Sequence, residues 1–188
     1  MKKGIMVGGD LSKAFDQKTM KALVSTPDLI GAVLRVHFCL EELLNLWCEK
    51  ITSVQDFFDI GFIGFEKKLL IAEKLGFPEQ LSVIFRKFNK IRNMFAHDSN
   101  TELSIQMLDD IRHLIDRVET YSDTPLPKTS ELRMFGDQGV KYDWSSKNVD
   151  IKDRLVFIYF IFSLTLVHRY QYEFIQRNIS HNFDASKS

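Results

Sequence analysis

Arg92, Asn93 and His97 lie within the hexamer Arg92-Asn93-Met94-Phe95-Ala96-His97 and supply a permanent cation, an amide and a titratable imidazole. On a helix Asn93 and His97, four apart, share a face, and the long Arg92 side chain one residue over can curl toward them. The trio suits a phosphate ester. Arginine binds phosphate through a fixed fork of donors, and histidine can give or take a proton near neutral pH.

The segment carrying these residues predicts a helix from Pro78 to about His97. Ile84, Phe88, Ile91 and Phe95 fall on one face, and Arg86, Asn89, Asn93 and His97 fall on another. No acidic residue occurs between Glu79 and Asp98, whereas Arg86, Lys87, Lys90 and Arg92 are all basic. Arg86, Lys87 and Lys90 are therefore candidates for contacting a polyanion such as RNA. Phe85, Phe88 and Phe95 lie near the apolar side and read as packing.

The remaining elements that must hold this helix are also helical in period. A first helix is expected from Asp10 or Ser12 to about Ser25, with Leu11, Phe15, Met20 and Leu23 as its apolar positions. Pro27 and Asp28 open a long helix to about Thr52, with a stripe of Leu29, Val33, Val36, Leu40, Leu43, Leu44 and Trp47. After a Phe- and Gly-rich connection, Glu66 to Leu75 reads as a short helix with Leu69, Leu70 and Ala72 inside, stopped by Gly76. Glu102 to Tyr121 is a further amphipathic segment. Two alternating runs around Gly136-Asp137-Gln138-Gly139 predict a β-hairpin over about 131–144, packing Leu132, Met134, Tyr142 or Trp144 on the helices. A last helix from about Asp150 to Asn178 is apolar nearly all round in its first half, the pattern of a helix buried on several sides.

The expected fold is thus all-α, a single-domain bundle of about six helices over residues 1–188, with a small β-hairpin inserted before the C-terminal helix. The 188 residues are 45% hydrophobic and 27% charged, an ordinary globular composition. Twenty-five basic residues balance twenty-five acidic ones, so an anionic partner has to be recognised locally. The most apolar run, Leu155 to Val167, is too short for the roughly 20 residues that cross a bilayer, and the N-terminus lacks the apolar core of a signal peptide. A cytoplasmic protein with no membrane partner is expected.

Cys39 and Cys48 are nine apart in one predicted helix, about 13 Å along its axis, and cannot pair there; buried reduced thiols are expected. No two of His37, His97, His113, His168 and His181 form a metal-binding HxxxH or HExxH pair, so no metal is expected. Gly61 to Gly64 is too sparse to cradle a nucleotide, and no cofactor is expected.

The hexamer fits the R-N-x-x-x-H motif and resembles the HEPN superfamily of helical bundles. The order of features is also similar to the mannitol operon repressor family. That similarity runs through the long helix with Glu42 and Asn45, Gly61 to Phe65, Lys68-Leu69, Leu75 to Phe77 and the Arg92 to Asp98 helix end, about residues 28–120.

The resemblance implies a metal-independent endoribonuclease of toxin or defence type. In it Arg92 would hold the scissile phosphate, His97 would be general acid or base for attack by the ribose 2′-hydroxyl, and Asn93 would orient phosphate or imidazole. Glu42 on the upstream helix and Asp98 beside the histidine would be supporting groups. The resemblance also implies a homodimer that pairs two motifs, with an antitoxin or regulatory protein as a further partner. The chain departs from many active members at Ser99, where they carry tyrosine. The alternative is a non-catalytic transcriptional regulator or protein-interaction module similar to the mannitol operon repressor family.

Overall fold

The computed structural model describes residues 17–97, 101–119, 126–135, 141–147 and 149–180. Among the described residues there are six helices: α1 (Gln17–Val24), α2 (Leu29–Thr52), α3 (Phe65–Lys74), α4 (Glu79–His97), α5 (Ile105–Ile115) and α6 (Ile151–Gln176). The long helices α2 and α6 pack on each other at the centre. Helix α4 packs on α2, α3 on both α2 and α4, and α5 on α4 and α6, while α1 covers one end against α2 and α6.

Local chemistry sets the helix boundaries. Asp28 caps α2 by accepting from the Gly31 N–H at 2.7 Å, and Asp150 caps α6 by accepting from the Lys152 N–H at 2.8 Å. Helix α3 ends in a Schellman arrangement, with Phe77 N donating to Ala72 O and Gly76 N to Glu73 O, both at 2.9 Å. The reversal puts Gly76 at φ +85°, a conformation glycine adopts without penalty. The Pro78 carbonyl then accepts the first amides of α4.

The stripe expected on α2 is the core: Val33, Val36, Leu40, Leu43, Leu44 and Trp47 are all buried. The Trp47 ring lies 5.3 Å from Phe77, 5.2 Å from Tyr170 and 5.6 Å from Phe174, which ties α2 to α6 and to the α3–α4 junction. The Tyr170 hydroxyl donates to the Leu43 carbonyl at 2.8 Å, satisfying a buried polar group inside this cluster. Helix α6 is buried on several sides from Leu155 to Ile158 and onward to Tyr170, and among the described residues no helix is long and apolar enough to cross a membrane. Both cysteines are buried, and neither is in a disulfide.

Several expectations shift. Leu70, expected inside, is half exposed, because Leu69 and Ala72 share the inner face of α3 and Leu70 sits one residue, about 100°, around it. The helix expected over Glu102 to Tyr121 is shorter. Ser104 caps it through the Met107 N–H, and at its other end the Asp116 carboxylate is drawn to the Thr129 N–H and hydroxyl at 2.8 and 2.9 Å. The first expected helix is described only from Gln17; residues 1–16 lie outside the described residues.

Of the expected ribbon, Met134–Phe135 (β1) and Lys141–Tyr142 (β2) pair antiparallel over two residues, and the turn between them lies outside the described residues. The segment that follows docks through Trp144. Its indole N–H donates to Asp109 at 3.0 Å, and its ring lies 5.5 Å from the Arg112 guanidinium and 5.2 Å from that of Arg154.

Candidate functional site

Helix α4 turns its polar face toward a groove bounded by α2 and by the start of α3. One section of this groove, about 470 Å³, is lined by His37 and Glu41 from α2, Phe62 to Lys67 from the loop and the start of α3, and Asn89, Arg92 and Asn93 from α4. A second section, about 350 Å³, is lined by Glu66, Arg86, Asn89, Lys90, Asn93, Met94 and His97. Glu66, Asn89 and Asn93 line both, so the two sections adjoin along α4. The face predicted to carry Arg86, Asn89, Asn93 and His97 is the face lining the second section.

Arg92 is half-buried, and its Nη1 donates to the Asn93 Oδ1 at 3.1 Å. Its Nε is enclosed without a partner among the described residues. That hydrogen bond orients the Asn93 amide oxygen toward the guanidinium. His97 is exposed at the last position of α4. The arrangement thus brings Arg92 and Asn93 into contact, while His97 opens on the adjoining section beyond Asn93. Asp98 and Ser99 lie outside the described residues.

The acidic support differs from expectation. Glu42 is exposed and does not line the groove, and among the described residues it makes no ion pair with Arg92. From α2 the carboxylate that lines the groove is that of Glu41, one turn beyond His37 on the same face, and Glu66 of α3 lines both sections as well. Glu41 accepts from Lys68 Nζ at 2.7 Å, and Lys68 also reaches the Asn45 Oδ1 at 3.4 Å.

The basic helix is also partly neutralised. Arg86 is held by Glu66 at 3.0 Å and by Glu73 at 2.7 Å, both from α3. Its hydrogen bond holds the Glu73 carboxyl below the ordinary carboxylate value, against the opposing effect of burial. Lys87 points away from the groove toward Asp110 on α5, 3.7 Å distant. Lys67, Lys90 and Arg92 have no carboxylate within ion-pair distance among the described residues, so these three carry the groove's uncompensated positive charge.

Two groove residues, His37 and Phe62, were given no site role from the sequence, and Asn89 was placed on the polar face of α4 without one. His37 is buried, its Nε2 lies 3.2 Å from the Asn89 Oδ1, and its ring centroid is 4.5 Å from that of Phe65. Burial lowers its pKa below the ordinary 6.5, with Arg92 acting in the same direction and Asn89 and Glu41 in the opposite one. Asn89 is buried beneath both sections. Phe62 is completely exposed on the rim. The available signals were the four-residue spacing of His37 and Glu41 and the aromatic residue set among glycines at 61–65.

Among the described residues no group of three or more histidine, cysteine, aspartate or glutamate side chains gathers to hold a metal. Burial pushes the Cys48 thiol up to about 12, so it is no thiolate nucleophile at neutral pH. No family model, curated protein or solved structure matches the chain. The function of the groove therefore has to be read from its own side chains.

Proposed function

We propose that the protein is a HEPN-like, metal-independent endoribonuclease of toxin or defence type, with the α4 groove as its active site. The observation that supports this most is that Lys90, Arg92, Asn93 and His97 line two adjoining sections of the groove along α4, with Arg92 hydrogen-bonded to Asn93 at 3.1 Å. RNA cleavage by its own 2′-hydroxyl needs phosphate binding and proton transfer, and these side chains supply both.

In this reading the 2′-oxygen forms a bond to phosphorus as the bond from phosphorus to the 5′-oxygen breaks. The products are a 2′,3′-cyclic phosphate and a 5′-hydroxyl. Arg92 neutralises the charge that develops on the phosphate oxygens, and Asn93 fixes the guanidinium that does so. His97 takes the proton from the 2′-hydroxyl or returns one to the 5′-oxygen. A homodimer would supply a second His97 for the complementary transfer.

The test incubates the protein with a mixed RNA pool in EDTA beside the Arg92→Ala and His97→Ala variants. Cyclic phosphate ends that form with the wild type and are lost by at least about 100-fold in both variants support the enzyme. An RNA pool left intact by folded wild type overturns it.

The second reading is a non-catalytic regulator or interaction module similar to the mannitol operon repressor family. It is favoured by the outward face of α2, where Ile30, Leu34 and Phe38 recur every four residues and are 38%, 39% and 62% exposed. An inert protein that captures a protein partner or an operator through that face would establish it.

A further inference from the structure

We propose that Phe62 and Asn89 form a nucleobase subsite beside the phosphate-binding arginine, in which an unpaired base of single-stranded RNA stacks on Phe62 and accepts a hydrogen bond from the Asn89 amide. The inference rests on the ribonuclease reading and adds to it the part of the substrate that the groove recognises.

A single exposed apolar side chain is ordinary on a protein surface. Phe62 differs by its position. Its ring is 100% exposed, yet it forms part of the wall of the groove section that contains Arg92. The loop that presents it turns at Gly61, whose φ of +110° suits glycine, and a Cβ built there would meet nothing within 4 Å. The ring is therefore offered to solvent from an open turn while Phe65, three residues on, is buried against His37. An exposed aromatic face beside a cation is the arrangement on which single-stranded nucleic acid is held, because every base has a face to stack and every linkage a charge to neutralise.

His37 fixes what Asn89 can offer such a base. An amide oxygen only accepts, so the 3.2 Å contact makes His37 Nε2 the donor and Asn89 Oδ1 the acceptor. The Asn89 Nδ2 then points its two hydrogens elsewhere, with no protein acceptor among the described residues. Asn89 lines both sections of the groove, so these donors are available to a ring nitrogen or carbonyl of a base entering beside Arg92. Double-stranded RNA keeps its bases stacked and paired, and the subsite selects against it.

The test uses a short 2′-O-methyl oligoribonucleotide, which lacks the attacking hydroxyl, and a matched oligonucleotide in which the bases are removed. Binding to the full chain is followed by fluorescence anisotropy. Phe62→Ala is expected to weaken the base-bearing oligonucleotide by about 5- to 150-fold, the equivalent of about 1 to 3 kcal/mol of stacking. It should leave the abasic one unchanged, and Phe62→Trp should retain binding. Arg92→Ala should weaken both. Because Phe62 touches no core, all Phe62 variants should melt with the wild type.

Arg92-dependent binding that is indifferent to Phe62, or a Phe62→Ala loss of equal size on the abasic oligonucleotide, overturns the subsite while sparing the ribonuclease reading. A Phe62→Ala variant that changes the oligomeric state and not RNA binding assigns the ring to contact with a second copy of the chain and likewise overturns it. If neither oligonucleotide binds in an Arg92-dependent way, both readings are overturned.

Discussion

His37 on α2 and Asn89 on α4 meet through a buried 3.2 Å hydrogen bond across 52 residues of sequence, and this contact forms the floor of the groove. It couples the helix that carries the motif to the central helix of the bundle. Removing the amide leaves a buried imidazole without its partner, so Asn89→Ala should destabilise the fold by about 1 to 3 kcal/mol. Urea denaturation near neutral pH measures the loss.

The same histidine gives the protein a pH dependence of definite sign. Burial lowers the His37 pKa below 6.5, so in the window just below that value the unfolded chain binds more protons than the folded one. Stability should be intact above about pH 6.5 and fall as the pH drops through it. Glu41 opposes the effect and Arg92 reinforces it, and His168, also lowered by burial, adds a fall of the same sign. His37→Gln should therefore flatten the curve of unfolding free energy against pH without abolishing its slope. An unchanged slope would place the acid sensitivity elsewhere.

Arg86 and Lys90 both belong to the basic face, yet their variants should behave differently. Arg86 bridges two carboxylates at 38% exposure, so Arg86→Ala should cost no more than about 1 kcal/mol of stability after solvent screening and leave RNA affinity little changed. The loss should begin to shrink as the pH falls below the ordinary Glu73 value of 4.5, where the unfolded chain takes up its proton first, and should vanish once the pH has passed through the lower folded-state value and the paired carboxyl is protonated too. Lys90→Ala should leave stability unchanged. It should lower the slope of log affinity for single-stranded RNA against log salt by about 0.7.

Gly76 has two reasons to be glycine. Its φ of +85° costs another residue about 1 to 2 kcal/mol, and a Cβ there would sit 2.9 Å from the Arg177 Nη2, which itself donates to the Gly76 carbonyl at 3.0 Å. Gly76→Ala should lower the melting temperature by about 2 to 8 °C, and Gly76→Asn by less. Scanning calorimetry would measure both.

Neither cysteine should react in the native protein. Cys48 is buried with its thiol pushed up to about 12, and Cys39 is buried on the same helix. Iodoacetamide at about pH 8 should label both only after unfolding, because the thiolate is the nucleophile. Rapid labelling of folded protein, read by mass spectrometry, would contradict the packing of α2.

Much of the scaffold was legible because periodicity is a local property. The α2 stripe, the buried first half of α6, the Asp28 cap and the Gly76 stop each depend on residues a few positions apart. The polar face of α4 was legible for the same reason, since Asn89, Asn93 and His97 follow from helical spacing. Helix length was less so. Helix α5 ends early because Asp116 is engaged by Thr129, 13 residues on, and no local pattern in α5 announces that partner.

The sequence by itself determined that Arg92, Asn93 and His97 share one end of an amphipathic helix, because a 3.6-residue repeat leaves them nowhere else to go. Only the tertiary structure decided which charges remain free, which acid approaches and what the groove presents. Packing α3 against α4 cancels Arg86 with two carboxylates, and the rotation of α2 brings in Glu41 and His37 rather than Glu42. Those outcomes depend on how rigid helices settle against one another through their buried faces, and a change of one residue in register moves a side chain by about 100°.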